Sequence, residues 1–280
     1  MTTLITGARG KVGQGVIARL HSAGHPVRAA GARPAETTVP AGVEVLELAL
    51  DRPETFAAAL DGVRQVFLYP EPSGIQELVE AAEAAGVEHV VLLSSSSVLG
   101  PDAETDPLAG HSLTVERALT ASSLTCTFLR PDAFASNSFA WAYPIGRSMP
   151  VQLAYPDAQI APIHPEDIAD IAFEALTGGS LRGRAVTLTG PESLSFRAQL
   201  SVLSGAVGRE IPVERISREA AERQMSSFMP ARVAGSLLDL WAAASHGPAV
   251  VADTTASLLG RPARTYAQWA AENASAFAGS

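Results

Sequence analysis

Three glycines near the start of the chain have the spacing and setting of a phosphate-binding loop. Gly7, Gly10 and Gly13 follow a short apolar run at Leu4–Thr6 and precede a helical pattern. Glycines placed between a strand and a helix let the backbone approach a pyrophosphate at the helix N-terminus. The first gap is one residue longer than in the common dinucleotide fingerprint, so the position supports this interpretation more than the pattern does. A tight turn without a ligand is the alternative.

The charges near this loop indicate which dinucleotide it would hold. In NAD-selective proteins an acidic residue about 20 positions beyond the loop binds the ribose 2′-hydroxyl. Here the segment reads Ala29-Ala30-Gly31-Ala32-Arg33-Pro34, and the first carboxylate after it is Glu36. Arg33, together with Arg9 and Lys11 of the loop, therefore favours a 2′-phosphate and hence NADP(H). A solvated surface role for Arg33 is the alternative.

The predicted cofactor site extends along the edge of the expected sheet. Its residues are Gly7, Arg9, Gly10, Lys11, Val12, Gly13 and Arg33, together with Leu50, Tyr69 and Ser94.

We expect no bound metal. The chain has one cysteine, Cys126, so it can form neither an intramolecular disulfide nor a multi-cysteine metal site, and Cys126 is expected to be a small buried apolar residue.

The elements that would position this loop alternate between strand and helix. Apolar runs typical of strands lie at Leu4–Thr6, Val27–Ala30, Val43–Leu48, Gln65–Tyr69, His89–Leu93 and Thr125–Leu129. Between them, apolar residues recur at helical spacing. This order predicts the α/β class, with a Rossmann-type doubly wound parallel sheet. We expect an NADP(H)-binding domain at 1–133, with the chain returning to the sheet near 160–190, and a mainly substrate-binding region at 134–280.

Composition narrows the range of partners. The chain has 280 residues, and 29 acidic against 20 basic residues give a net charge of −9, which disfavours a nucleic-acid partner. No apolar run reaches the roughly 20 residues that span a bilayer, and the N-terminus lacks the pattern of a secretory signal. We expect a cytoplasmic monomer or homodimer that acts on a small-molecule acceptor.

Several motifs occur together in a recognisable order. They are Thr6-Gly7-Ala8-Arg9-Gly10-Lys11-Val12-Gly13, Leu129-Arg130-Pro131, Ile163-His164-Pro165-Glu166-Asp167-Ile168-Ala169 and Leu188-Thr189-Gly190-Pro191-Glu192. In these motifs the chain resembles the NmrA-like group of atypical short-chain dehydrogenase/reductases, and it looks most similar to the bacterial NADPH:quinone oxidoreductase and triphenylmethane reductase members. The resemblance implies a Rossmann domain, a smaller C-terminal substrate domain and a cleft between them.

The chain departs from this family at the proton-donating residues. Related enzymes use a serine and a tyrosine–lysine pair, in which the tyrosine is the general acid. Ser95 matches the serine, but Leu108 and Ser112 stand where the tyrosine and lysine would be. Ser95 could equally form a turn with its own backbone. His111 could supply a proton near neutral pH, or it could be a residue at a helix start or on the surface.

Two further segments bear on ligand binding. The group usually has an Asp-Leu pair after the third strand that meets the adenine, whereas this chain has Ala49-Leu50; Asp51 follows and is expected to cap a helix. After the sixth strand come Phe134, Asn137, Trp141 and Tyr143, which are predicted to form the wall of a pocket for a flat, apolar substrate, although each could be a core residue.

These observations predict an NADPH-dependent oxidoreductase that passes hydride to an apolar conjugated acceptor such as a quinone or a carbonyl compound. Without the tyrosine–lysine pair, the rate would depend mainly on positioning. The alternatives are a non-catalytic NADP(H)-binding redox sensor and an isomerase or tailoring enzyme that keeps the fold.

Overall fold

The protein consists of two compact units, which are described separately. A computed structural model describes residues 1–279. Unit 1 comprises residues 1–105, 109–131 and 165–187, and unit 2 comprises 106–108, 132–164 and 188 onward. The chain thus leaves unit 1 after the sixth strand and comes back to it for one helix and one strand. Within the described residues, no helix has both the length and the apolar character needed to cross a membrane.

Unit 1 is built on a single sheet of seven strands. They are β1 (Thr2–Ile5), β2 (Val27–Gly31), β3 (Glu44–Glu47), β4 (Val63–Leu68), β5 (His89–Leu93), β6 (Thr125–Pro131) and, after two strands of unit 2, β9 (Ala185–Leu188), whose last residue already belongs to unit 2. The order across the sheet is β3-β2-β1-β4-β5-β6-β9. Pairing from β3 to β6 is parallel at every step. The predicted Rossmann-type sheet is therefore confirmed.

Except between β2 and β3, helices connect these strands, as parallel pairing requires. They are α1 (Lys11–Ser22), α2 (Phe56–Leu60), α3 (Ile75–Ala84), α4 (Gly110–Thr120) and, later in the chain, α6 (Pro165–Thr177). All five residues of β5 are buried, because the central strand of such a sheet is covered on both faces. The strand order reverses direction between β1 and β4, and a ligand crevice is expected at the carboxyl ends of these strands.

Helix α6 packs closely against α1. A methyl group at Gly15 would lie 2.8 Å from the Cβ atom of Ala169, so glycine permits this close approach. Arg19 of α1 forms ion pairs with Asp170 at 2.5 Å and with Glu166 at 2.8 Å. Helix α1, which follows the glycine loop, is thereby held in place.

Unit 2 has short strands and mostly helical structure. Its elements are α5 (Ala142–Gly146), β7 (Val151–Leu153), β8 (Gln159–Ile160), β10 (Leu194–Ser195), α7 (Phe196–Val207), β11 (Val213–Arg215), α8 (Arg218–Met225), α9 (Ala231–Ala243), α10 (Thr254–Leu259) and α11 (Tyr266–Asn273). Aromatic side chains form its core. Phe139 lies 5.1 Å from Trp269 between ring centroids, and the buried Tyr266 and Ser138 hydroxyls are hydrogen-bonded at 2.6 Å.

Candidate functional site

A cavity of about 600 Å³ lies in unit 1 where the strand order reverses. This volume falls within the usual range for small-molecule sites. Residues at or shortly after the carboxyl ends of four neighbouring strands line it: Thr6, Gly7, Ala8, Arg9, Gly10, Ala30, Gly31, Ala32, Arg33, Thr37, Leu48, Leu50, Asp51, Leu68, Tyr69, Glu71 and Ser73. The cavity therefore brings together the predicted glycine loop, Arg33 after the second strand, and the predicted cofactor residues Leu50 and Tyr69.

The loop between β1 and α1 exposes backbone donors to this cavity. Gly10 is the residue before the first turn of α1, and its extended backbone (φ −78°, ψ 155°) makes no side-chain cap. Its N–H donates to the Gly7 carbonyl at 2.9 Å. Among the described residues no acidic side chain occupies the first turn of α1. The N–H groups of that turn and the positive end of the helix dipole are thus suited to an anion.

Two of the loop glycines are required by close contacts inside the protein. Gly7 has a left-handed backbone (φ +62°), and a methyl group on it would lie 3.1 Å from the Cβ atom of Tyr69. A methyl group at Gly13 would lie 2.5 Å from the Gly7 carbonyl oxygen, which no real Cβ tolerates. At Gly10 the corresponding distance to the same oxygen is 3.3 Å. Gly13 is therefore required by the fold of the loop, whereas a side chain at Gly10, which lines the cavity, would need only a small shift of its neighbour.

Gln14 holds the loop to the segment that follows β2. Its side-chain amide donates to the carbonyl oxygen of Ala8 and to that of Thr38, the latter at 2.9 Å. Both carbonyls belong to segments that border the cavity. One glutamine thereby fixes two walls of the site relative to each other, a role that sequence spacing gave no sign of.

Arg9 and Arg33 reach the same place from different segments. Arg9 belongs to the glycine loop, Arg33 precedes a short 3-10 helix at Pro34–Glu36, and both line the cavity. Each donates from Nη1 to the Glu36 carboxylate, at 2.6 Å and 3.1 Å respectively. About half of each Arg9 and Glu36 side chain, and 61% of Arg33, is exposed. The two guanidinium groups that we expect to bind a 2′-phosphate are thus already neighbours.

The other predicted cofactor residues fall into three groups. Leu50 and Tyr69 line the cavity, and 55% of the Tyr69 side chain is exposed there. Lys11 is exposed at the first position of α1, beside the cavity lining. Val12 is a buried residue of the same helix and supports the loop from behind. Contacts of these residues with a cofactor remain predictions.

The Ser94 side chain is already hydrogen-bonded inside the protein, and a contact of Ser94 with a cofactor remains a prediction. The residue is buried, and its hydroxyl donates to Oε1 of Glu116. Arg130 binds the same carboxylate with two donors, Nε to Oε1 at 2.9 Å and Nη2 to Oε2 at 2.6 Å. This buried network links β5, α4 and β6, and it holds the end of β5 in place.

Ser95 and His111 occupy very different environments. The Ser95 hydroxyl accepts hydrogen bonds from the Ser97 N–H at 3.2 Å and from the Ser97 hydroxyl at 2.8 Å, so Ser95 caps a 3-10 helix at Ser96–Leu99. The turn expected as an alternative is thus present, and a hydroxyl that accepts two bonds still has its own hydrogen to donate. His111 is an exposed residue in the first turn of α4.

Asp51 was expected to cap a helix, and that expectation is wrong. The 3-10 helix that follows, Pro53–Thr55, has Arg52 at its N-cap position. Among the described residues, no side chain forms a capping hydrogen bond at its start. Instead the Thr55 hydroxyl accepts from the Ala49 N–H at 3.1 Å, and Asp51 is an exposed carboxylate in the cavity lining. Its place four residues after the end of β3 is the sequence signal that could have indicated the cavity.

The four predicted substrate residues lie in unit 2, around a 3-10 helix at Ala135–Trp141. Phe134 is half-buried and precedes that helix, and Asn137 is exposed on it. Trp141 contacts Phe196 edge to face, with 5.8 Å between ring centroids. Tyr143 is 68% exposed, and the Arg147 guanidinium lies 5.8 Å from its ring centroid. Trp141 is therefore in part a core residue, and Asn137 and Tyr143 are the accessible members of the set.

The pKa values of two other potentially reactive side chains, Cys126 and His89, are shifted by burial. Burial raises the pKa of the Cys126 thiol to about 11, so Cys126 is a poor nucleophile. Burial, together with the charge of Arg182, lowers the pKa of His89 to about 4. In residues 1–279 no cluster of histidine, cysteine and carboxylate side chains could hold a metal ion.

Comparison with known proteins agrees with this geometry. Residues 7–178 match a protein family described as NAD(P)H-binding. The chain is 39% identical to a (4-alkanoyl-5-oxo-2,5-dihydrofuran-3-yl)methyl phosphate reductase of Streptomyces griseus, over 98% of this chain and 99% of the relative. It is 31% identical to an NAD(P)H azoreductase of Xenophilus azovorans, over 98% of each.

A solved structure shares the fold. An NADPH-dependent quinone oxidoreductase of Escherichia coli, crystallised with NADPH, superposes with a TM-score of 0.79 at 23% identity, and the match covers 96% of this chain and 99% of that chain. At this level of identity, the likeness establishes the fold alone.

Proposed function

The chain belongs to the NAD(P)H-binding family, and on that premise we propose that it is an NmrA-like atypical short-chain dehydrogenase/reductase that acts as an NADPH-dependent reductase of conjugated, electron-poor acceptors. That it is an NAD(P)H-dependent oxidoreductase follows from its named reductase relatives. The preference for NADPH and the class of acceptor are the finer parts of the proposal.

The residues around the cavity fit a dinucleotide with a 2′-phosphate. The cradle formed by Gly7 and Gly10 has no side chains, and it meets the first turn of α1, where a pyrophosphate would receive backbone N–H donors. Arg9 and Arg33 would hold the 2′-phosphate through charge-assisted hydrogen bonds. Leu48 and Leu50 offer apolar surface in the same cavity. NADPH, when bound, supplies a hydride.

The single observation that supports the acceptor class is that the chain lacks the tyrosine that acts as general acid in related enzymes. Residue 108 is a leucine and residue 112 is a buried serine, so no tyrosine–lysine pair is there to protonate a developing alkoxide. A simple ketone needs that proton, whereas a conjugated acceptor delocalises the charge it gains. The chain would then act by positioning the acceptor and excluding water, and Ser95 would be its nearest equivalent of a proton donor.

The names of the two relatives describe acceptors of this electronic type. One name contains an unsaturated five-membered lactone with an alkanoyl group, and the other refers to azo compounds. In an acyl lactone, hydride addition to the double bond leaves an enolate shared between two carbonyl groups, which is stable without a general acid. We therefore place α-acyl unsaturated lactones first among the acceptors, followed by quinones and azo compounds.

Steady-state oxidation of NADPH with a matched panel tests this proposal. We expect turnover of an α-acyl butenolide, a naphthoquinone and an azo dye, and little or no turnover of a simple cyclic ketone. The saturated form of the same acyl lactone is the control, because it keeps the shape and loses the conjugated double bond.

Two outcomes would contradict the proposal in different ways. Preferential turnover of the simple ketone would show that another group supplies the proton, and the acceptor class would be wrong. Binding of NADPH without turnover of any acceptor would favour the redox sensor, which the missing tyrosine–lysine pair also permits.

A further inference from the structure

The carboxylate of Glu36 lies between the two arginines at the cavity. It accepts from Arg9 Nη1 at 2.6 Å and from Arg33 Nη1 at 3.1 Å, and Arg33 and Glu36 are three residues apart on one turn. Arg9 and Arg33 line the cavity, whereas Glu36 is not among the lining residues. The carboxylate therefore contacts both arginines without itself lining the cavity.

The charges of Arg9, Arg33 and Glu36 determine how strongly this site attracts a phosphate. Two guanidinium groups and one carboxylate leave a single net positive charge for a 2′-phosphate, which carries about −1.5 to −2 at neutral pH. Each guanidinium has five N–H donors, and Glu36 engages Nη1 of each, so a phosphate can bind while Glu36 keeps its place. Phosphate and carboxylate would then share the same two cations and repel each other.

We propose that Glu36 is a specificity-determining residue that limits the preference of this protein for NADPH over NADH. It does so by neutralising part of the charge of Arg9 and Arg33, and only a cofactor with a 2′-phosphate is sensitive to that charge. The inference rests on the proposed NADPH function and adds a residue that tunes it.

A positioning role is the competing explanation. If Glu36 mainly held the arginines in place, its removal would weaken NADPH binding. The partial exposure of all three side chains argues against this, because exposed ion pairs contribute little to order or stability. The repulsion between carboxylate and phosphate acts at short range, is only partly screened, and favours the opposite result.

The experiment compares cofactor affinities of the wild type and Glu36→Gln by fluorescence titration or calorimetry. We expect NADPH to bind about fivefold or more tightly to the variant, as a unit charge removed a few ångströms from the phosphate implies, and NADH to bind equally to both. The same change in affinity should appear with 2′,5′-ADP and be absent with 5′-ADP. The gain should also shrink as salt is raised.

The control is Glu44→Gln, which makes the same chemical change at a carboxylate paired with Arg28 at 2.7 Å, in a residue outside the cavity lining. It should leave both affinities unchanged. An unchanged or weakened NADPH affinity in Glu36→Gln would overturn the inference while the reductase proposal stands. If the wild type bound neither NADPH nor NADH, both the proposed function and the inference would fall.

Discussion

The carbonyl oxygen of Gly7 lies where a side chain on Gly13 would have to be: a Cβ atom at Gly13 would come within 2.5 Å of it. This contact explains the third glycine of the loop without reference to a ligand. The first turn of α1 is closed against the end of β1, and only a residue without a side chain allows that closure. Gly10 has a different role, because its backbone angles suit any residue.

Replacing these two glycines should therefore separate folding from binding. Gly10→Val should abolish dinucleotide binding, because its side chain fills the space of the pyrophosphate. The variant should melt close to the wild-type temperature, because the backbone angles of Gly10 suit any residue. Gly13→Val should lower the melting temperature as well, because it forces the loop open. Thermal melts with and without NADPH make the comparison, and Gly205→Ala, in α7 with open space around it, is the control. A cofactor-induced shift that survives in Gly10→Val would show that the loop is not the pyrophosphate site.

The arginine after β2 should discriminate between cofactors. Arg33→Ala removes one charge-assisted contact to the 2′-phosphate, so we expect NADPH affinity to fall about tenfold or more while NADH affinity is kept. Arg117→Ala is the matched control, since Arg117 is similarly exposed, pairs with Glu104 and lies outside the cavity lining. Titration of both cofactors gives the answer. Equal wild-type affinities for NADPH and NADH would refute the assigned role of Arg33.

The candidate proton donors should matter less than in relatives with a tyrosine acid. We expect Ser95→Ala and His111→Ala each to reduce kcat for a quinone or acyl lactone by less than about tenfold, below the usual contribution of a general acid. His111 is exposed in the first turn of α4, and Ser95 caps a turn. The measurement is steady-state kinetics at saturating NADPH. A loss of about a thousandfold in His111→Ala, with folding and cofactor affinity intact, would identify His111 as the acid.

Buried His89 should make the protein less stable in acid. Its ring nitrogen Nε2 lies 2.9 Å from the Thr127 hydroxyl, and Nδ1 is buried with no partner among the described residues. Burial and the charge of Arg182 lower its pKa from 6.5 to about 4, so between these values the unfolded chain binds a proton that the folded protein does not. Stability is then full above about pH 6.5 and falls as the pH approaches 4.

Denaturant unfolding at a series of pH values tests this dependence. His89→Leu should flatten the fall between about pH 6.5 and pH 4, because it removes the titrating group and Thr127 still donates to Leu181. His21→Gln, which changes an exposed histidine of α1, should keep the wild-type pH dependence. An unchanged slope in His89→Leu would mean that another group causes the acid sensitivity.

Much of unit 1 could be predicted from the sequence. The alternation of apolar runs with helical spacing gave the strands of the parallel sheet, with most ends within two residues of those observed. The glycine loop and Arg33 were found because they lie at fixed distances from the first two strands. In each case the signal was local, since periodicity and turn chemistry depend on residues that are neighbours in the chain.

The pairing of side chains was decided by tertiary structure. Ser94 and Ser95 are adjacent and chemically identical, yet Ser94 is buried against Glu116 while Ser95 caps a turn. Asp51 was expected to cap a helix and instead borders the cavity. Local spacing indicated the Ser95 turn as an alternative, because its partner Ser97 is two residues away. It indicated neither the bond of Ser94 to Glu116, which is 22 residues away, nor the place of Asp51 in the cavity lining.

The sequence by itself thus determined the class of fold and the position of the glycine loop. Only the tertiary structure showed that Arg9 and Arg33, 24 residues apart in the sequence, share the carboxylate of Glu36. The reason is physical: the backbone pattern of a strand or helix is specified by its own residues, whereas a charge acquires its partner when the sheet brings separate segments together.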